Sequence, residues 1–392
     1  MIVQRPAVRP ALAVAACAAL LFTAGCSSGG GEPSKEKSSG AAGASTPGAS
    51  ASASREPGSV PPAKGSVTVG RTAATGLKSP WGLALLPDDD LLVSSRDEGT
   101  ITRIRPGGDK TELGSVPGVA PAGEGGLLGI ALSPDYASDH MIYAYFTTES
   151  DNRIARMLYD EKKPPGEQLG APDTVFRGIP KGTNHNGGRI AFGPDGLLYV
   201  GTGETYHTEL AQDKKSTGGK ILRLTKDGEP APGNPFGDSP VYSYGHRNVQ
   251  GLAWDGSGRL WASEFGQDTW DELNNIVPGG DYGWPDAEGK SGDSKYRDPI
   301  AQWHTEDASP SGIAFAEGSI WMAGLRGERL WRIPLDGDKA AHEPQAFLTG
   351  KYGRLRTVIS AGRDRLWLVT SETDSRGTPG KEDDRILELK VS

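Results

Sequence analysis

The chain has 392 residues, 50 acidic side chains against 42 basic ones, a net charge of −8 and a hydrophobic share of only 35%. Its 56 Gly and 29 Pro make up more than a fifth of the sequence, yet nine Trp and eleven Tyr argue against a disordered chain and for many short strands joined by turns. The acidic balance argues against a nucleic-acid partner, and no apolar run approaches the roughly 18 residues of a membrane span.

Both cysteines, Cys17 and Cys26, fall in the first 26 residues, so structural disulfides, thiolate metal sites and a Cys nucleophile are excluded from the rest. Any metal there is held by oxygen or imidazole. Residues 1–26 read as an export signal: Arg5 and Arg9, then the apolar stretch Ala11–Thr23, then small residues. The end of this signal, Leu21-Phe22-Thr23-Ala24-Gly25-Cys26, resembles the lipobox of bacterial lipoproteins. That resemblance implies a lipid anchor on Cys26 and an extracytoplasmic, membrane-attached protein; ordinary cleavage and secretion is the alternative. Residues 27–65 are mostly Ser, Gly, Ala and Pro, with no aromatic residue. Such a segment buries too little apolar surface to offset chain entropy and is expected to be a disordered tether.

From Ser66 onward the chain repeats itself. Gly82-Leu83-Ala84-Leu85 recurs as Gly129-Ile130-Ala131-Leu132, Arg189-Ile190-Ala191-Phe192, Gly251-Leu252-Ala253-Trp254, Gly312-Ile313-Ala314-Phe315 and, degraded, Thr357-Val358-Ile359. A turn follows each copy, then an alternating strand: Leu91–Ser95, Met141–Phe146, Leu197–Thr202, Arg259–Glu264, Ser319–Ala323 and Arg365–Thr370. A third strand closes most units, as in Ile101–Arg105, Arg153–Tyr159 and Lys220–Thr225. A period of roughly 55 residues built of short strands is the signature of a propeller. The reading is an all-β, six-bladed β-propeller over residues 66–392. The Trp residues at 254, 261, 321, 331 and 367 alternate within strands and are expected in its core.

In a propeller blade, the segment before the innermost strand and the connector from second to third strand share one face. Glu124, Asn184-His185-Asn186, His246-Arg247-Asn248, Pro310-Ser311, Arg354 and Arg356 belong to the first kind. Glu204, Gly266-Gln267-Asp268 and Leu325-Arg326-Gly327 belong to the second. One mouth thus gathers two imidazoles and four arginines, which repel one another unless an anion sits between them. These residues point to a planar, carboxylate-bearing ligand, with a His available for proton transfer. The spacing of Arg354 and Arg356 puts both side chains on one face of an extended segment. His246 is expected to pack against or orient Arg247, and Asp271-Glu272 to brace a turn.

At these residues the chain resembles a known family. Gly126-Leu-Leu-Gly129, His185-x-Gly-Gly-Arg189, Phe192-Gly-Pro-Asp-Gly196, Gly219-Lys-Ile-Leu-Arg223, Gly245-His-Arg-Asn248, Asp271-Glu-x-Asn274 and Tyr282-Gly-Trp-Pro285 occur in order. Together they resemble the soluble dehydrogenases of glucose and aldose sugars that depend on pyrroloquinoline quinone (PQQ), the glucose/sorbosone dehydrogenase family, and its compact aldose sugar dehydrogenase branch in particular. The resemblance implies PQQ and Ca2+ at one mouth of the propeller. It makes His185 the base that takes the proton of the anomeric hydroxyl while hydride passes to the quinone, giving a lactone. It makes Arg247 a stabiliser of developing negative charge, Asn248, Arg326, Arg354 and Arg356 quinone-binding residues, and the carbonyls of Gly266 and Gln267 Ca2+ ligands.

The departures lie mainly at the sugar rim. Glu124 stands where the glucose enzymes have Gln, and Asn184 where they have Asp; both are expected to touch the aldose. Arg326 replaces a quinone-binding Lys, and Gln267 replaces a Pro. The electron acceptor is not legible. Two other readings stay open: a carbohydrate-binding propeller without catalysis, and a Ca2+-dependent hydrolase of the lactonase kind, which needs side-chain carboxylates converging on the metal.

Overall fold

The structure, a computed structural model, describes residues 60–392. The export signal, Cys26 and all but the last residues of the tether lie outside the described residues. Six antiparallel sheets follow one another along the chain, and each is one blade of a β-propeller. Blades 1 to 4 are four-stranded meanders with innermost strands Pro80–Leu85, Leu127–Leu132, Ile190–Phe192 and Val249–Trp254. Blade 5 starts at Pro310–Ala316 and has five strands, two of them (Lys339–Ala340 and Gln345–Phe347) pairing with the same third strand. Blade 6 takes three strands from the C-terminal end, Leu355–Ser360, Arg365–Thr370 and Ile386–Val391, and its outermost strand from the start of the domain, Val67–Ala74. Val67 pairs with Val391 and Ala74 with Ile386, so the two ends of the domain close the ring by backbone hydrogen bonding.

The recurring Gly-Leu/Ile-Ala element has a steric cause. A Cβ added at Gly129 would lie 2.3 Å from the carbonyl oxygen of Gly188 in the next blade, and one at Gly251 would lie 2.4 Å from that of Ser311. At these positions adjacent inner strands meet backbone to backbone, where only glycine fits, whereas blades 3 and 6 carry Arg189 and Thr357 there. Irregular register interrupts the pairing of five of the six inner strands with their second strands, as between Leu127 and Ile130 and between Val249 and Gly251. Such irregularities turn the strand's start away from the ladder and towards the mouth.

The second strands are buried on both faces because blades stack face to face. Leu92, Ile101, Leu127 and Ile142 pack between blades 1 and 2, and Ala253, Trp261, Ile313 and Met322 between blades 4 and 5. Each fully buried Leu, Ile or Met contributes about 1.5–3 kcal/mol. Trp261, Trp321 and Trp367 are fully buried, whereas Trp254 and Trp331 pack at the edges of their clusters. The sequence reading missed the fourth strands, among them Lys110–Ser115, Asp173–Ile179 and Val241–Tyr244. No helix of the described residues is long and apolar enough to cross a membrane.

Candidate active site

A cavity of about 340 Å3 opens at the mouth where the two kinds of connector meet. Glu124, Asn184, His185, Arg247, Asn248, Gly266, Gln267, Leu325, Arg326, Arg354 and Arg356 all line it, whereas Asn186, Glu204, His246, Asp268, Pro310, Ser311 and Gly327, read from the sequence as mouth residues, do not. Cys26 lies outside the described residues.

His185 is built into the wall in an uncommon backbone state, with φ at +53°. Its N–H donates to Glu124 Oε2 at 3.0 Å, and its Nδ1 lies 2.6 Å from Glu204 Oε1. Glu204 is fully buried in the connector after the second strand of the same blade, and its N–H donates to the Arg247 carbonyl at 2.9 Å. With the carboxylate as acceptor, the ring proton belongs on Nδ1, leaving a lone pair on Nε2.

Arg247 donates to the Phe265 carbonyl at 3.3 Å, while its buried Nε meets no acceptor among the described residues. Burial lowers its pKa, with Glu204 opposing. A buried guanidinium with an idle N–H beside a cavity is suited to an anionic or developing negative atom. His246, by contrast, is wholly buried between Ser243 and Glu264, at 2.8 and 3.0 Å, and stacks on Tyr282. Burial drops its pKa to about 3, so it stays neutral and braces the segment that carries Arg247.

The arginine set is larger than the sequence suggested, and partly compensated from within. Arg96 and Arg376 also line the cavity. The expectation that an anion must sit between the arginines is met in part by the protein: Asp374 Oδ2 lies 3.0 Å from Arg354 and 2.9 Å from Arg356. Burial raises the Asp374 pKa, but Arg356 and Arg354 outweigh it and hold the carboxyl at about 2. Arg96 pairs with Asp97, and Arg376 pairs with Glu124 at 2.9 Å. Arg326 is exposed and meets neither a hydrogen-bond acceptor nor a carboxylate among the described residues. Behind the cavity, Arg189 lies over the Trp81 ring at 4.3 Å and donates to Thr357 and the Gln250 carbonyl. Burial, with Arg356 nearby, brings its pKa down to about 9.

The Gly266–Gln267 loop is organised by two carboxylates. Glu288 Oε1 accepts the backbone N–H groups of Gln267, Asp268, Thr269 and Trp270, at 2.7–3.1 Å. Asp271 accepts those of Gly266 and Ser309, and burial raises its pKa to about 7. Glu272 accepts from Gly289 and Asn274, so the acidic pair braces its turn, and Asp271 also lines the cavity. With the loop's amides drawn to these carboxylates, the carbonyls of Gly266 and Gln267 accept no hydrogen bond among the described residues. Unengaged carbonyls of this kind suit a hard cation such as Ca2+.

Sequence reasoning missed Trp81, Arg96, Tyr206, Asp374 and Arg376. Arg96, Asp374 and Arg376 lie just after the second strands of blades 1 and 6. The connector rule that found Glu204 and Arg326 finds these three when it is applied to all six blades.

The family model described as Glucose / Sorbosone dehydrogenase matches residues 77–378. The structure of the PQQ-bound form of aldose sugar dehydrogenase from Streptomyces coelicolor matches with a TM-score of 0.84 at 76% identity, covering 85% of this chain and 100% of that one. The aldose sugar dehydrogenase YliI of Escherichia coli strain K12 is 30% identical over 328 residues, 76% of this chain and 88% of that protein. Quinoprotein glucose dehydrogenase B of Acinetobacter calcoaceticus is 30% identical over 283 residues, 62% of this chain and 59% of that protein.

Proposed function

The chain belongs to the glucose/sorbosone dehydrogenase family, and from that premise we propose that it is a PQQ-dependent dehydrogenase that oxidises aldose sugars to lactones at the anomeric carbon. The observation that carries the reading is one cavity that holds a carboxylate-anchored imidazole opposite a cluster of arginines. When bound, PQQ supplies a hydride acceptor that Ca2+ polarises. The residues fit both groups. Arg326, Arg354 and Arg356, with Asn248, are the side chains that would hold a polycarboxylate. The free carbonyls of Gly266 and Gln267 would hold the cation.

The chain's own part is to bind, orient and move one proton. His185 Nε2 takes the proton of the anomeric hydroxyl, and the imidazolium so formed is stabilised by Glu204 through Nδ1. Arg247, which lines the cavity, answers negative charge with its guanidinium. Glu124 and Asn184, joined by a 3.0 Å hydrogen bond, offer polar groups to the sugar hydroxyls beside the base. A lactonase-like hydrolase is supported less well: among the described residues no three His, Cys, Asp or Glu side chains are arranged to hold a metal.

In this reading the N-terminal signal exports the protein and Cys26 carries its lipid anchor, supported by the sequence of residues 1–26. Mass spectrometry of the mature N-terminus tests it: a diacylglycerol-modified Cys26 is expected, and an unmodified start elsewhere overturns the anchor. For catalysis, the full chain is supplied with PQQ and Ca2+, and reduction of an artificial dye is followed across a panel of aldoses. Turnover abolished by His185→Ala is the expected result. No turnover with any sugar, or turnover that needs nicotinamide in place of PQQ, overturns the dehydrogenase reading.

A further inference from the structure

Resting on the reading that the mouth binds an aldose, we propose that Tyr206 is the platform on which the sugar ring stacks beside His185. Tyr206 lines the cavity, yet it is 61% exposed, one of three large hydrophobic side chains so exposed among the described residues. Its hydroxyl makes no hydrogen bond among the described residues. No hydrogen bond of the described residues therefore requires a tyrosine at that place, and the ring's contact within the fold is with His185.

The backbone holds the ring there against its own preference. Thr205 and Tyr206 are consecutive residues with φ of +58° and +65°. The left-handed region is unfavourable for any side chain and worst for a β-branched one such as Thr205. The conformation persists because both flanks are fixed. Before it, the Glu204 N–H donates to the Arg247 carbonyl and Gly203 bridges to Asn248. After it, the His207 N–H donates to the Glu204 carbonyl at 2.8 Å. Farther on, the fully buried Lys220 ammonium donates to the carbonyls of Leu210, Ala211 and Gly218 at 2.5, 2.9 and 2.7 Å. Strain held this firmly at a cavity wall is the mark of a pre-organised binding element.

The ring's placement gives it a task. Its centroid lies 4.2 Å from that of the His185 imidazole, with the planes tilted by 49°. An aldopyranose has an apolar C–H face and a rim of hydroxyls. Tyrosine offers a flat apolar body of matching size, at little cost in side-chain entropy. A pyranose lying on Tyr206 buries its C–H face, while its rim turns towards His185, Glu124 and Asn184, which line the same cavity.

The test compares Tyr206→Ala, Tyr206→Phe and Tyr206→Gly in the full chain supplied with PQQ and Ca2+. Loss of a stacking contact raises KM for an aldopyranose about 3–10-fold, with kcat held within about twofold because uniform binding is lost. Tyr206→Phe restores KM. Tyr206→Gly raises KM equally but does not lower the melting temperature, since glycine accepts the left-handed backbone. An unchanged KM in Tyr206→Ala, or a fall in kcat and melting temperature without a rise in KM, overturns the proposal while leaving the dehydrogenase reading intact. Should the parent chain turn over no aldose, calorimetric titration of glucose onto the chain decides. Weaker binding by Tyr206→Ala than by the parent supports the platform; equal binding, or none by either, overturns it.

Discussion

The Nδ1 atom of His185 lies 2.6 Å from Oε1 of Glu204, and both side chains are shut off from bulk water. They stand at the two connectors of one blade that reach the same mouth, one before its first strand and one after its second. The second oxygen of Glu204 is buried and meets no hydrogen-bond donor among the described residues, so the carboxylate's charge is directed at the imidazole. Glu204→Gln keeps the reach but removes the charge and offers an amide N–H that favours the wrong ring tautomer. With general-base catalysis worth about 100-fold or more, kcat is expected to fall by at least that factor. KM and the melting temperature change little. Steady-state kinetics checks this; a kcat within tenfold of the parent would remove Glu204 from the mechanism.

Asp374 compensates two arginines at once, and its pKa sets a pH window for that compensation. The folded value of about 2 lies below the ordinary 3.8. A depressed acid contributes stability in full above its unfolded pKa and loses it as pH falls through the folded one. The shift corresponds to about 2 kcal/mol. The stability gap between the parent and Asp374→Asn is therefore expected to be complete at pH 5 and above, and to shrink between about pH 4 and 2. Because the variant leaves Arg354 and Arg356 facing each other, PQQ should raise its melting temperature more than it raises the parent's. Denaturant titrations across pH, with and without PQQ, read both effects.

Which parts of this architecture were legible follows from where the fold constrains the sequence. The inner strands repeat because backbones meet at Gly129 and Gly251 and admit no side chain. The second strands repeat because they are buried on both faces. Outer strands such as Lys110–Ser115 are half exposed and meet a loop, not a second sheet, on their outer side, so little holds their sequence to a pattern. The closing strand Val67–Ala74 pairs with a segment more than 300 residues away, which no local periodicity announces. At the site, the motif-borne residues His185, Arg247 and Gly266 were legible because connector type fixes their face. The Asp374 contacts depend on how the loop after Thr370 folds back, and the Tyr206 position depends on two left-handed residues; neither leaves a spacing signal.

Glu288 offers a separate handle on the Gly266–Gln267 loop proposed to hold the cation. One of its oxygens collects four consecutive backbone N–H groups, from Gln267 to Trp270. Among the described residues it makes no hydrogen bond or ion pair with His185 or the arginines, although its charge acts on Arg247 from a distance. Supporting groups of this kind typically tune metal affinity by about 10–100-fold. Glu288→Ala is expected to weaken Ca2+ binding within that range, while glucose binding to the chain stays unchanged. Ca2+ titration by calorimetry measures the first and a parallel sugar titration the second. Unaltered Ca2+ affinity would detach the loop from the cation site.

Arg326 and Arg356 separate what holds the fold from what holds the ligand. Arg356 is buried and donates to Asp374, Gln250 and Ser371. Truncating it leaves Asp374 with one fewer partner and opens space beneath Trp81, a loss of about 3–5 kcal/mol by analogy with other broken buried pairs. Arg326 is exposed and meets no partner among the described residues, so Arg326→Ala changes the stability of the PQQ-free protein by no more than about 0.5 kcal/mol. Both substitutions are expected to weaken PQQ binding, because both guanidinium groups line the same cavity. Urea unfolding without PQQ and a direct PQQ titration together give the two-by-two comparison. The stability loss belongs to Arg356→Ala alone and the affinity loss to both. If Arg326→Ala binds PQQ as tightly as the parent, the exposed guanidinium is a solvated rim charge and the quinone is held from the Asp374 side only.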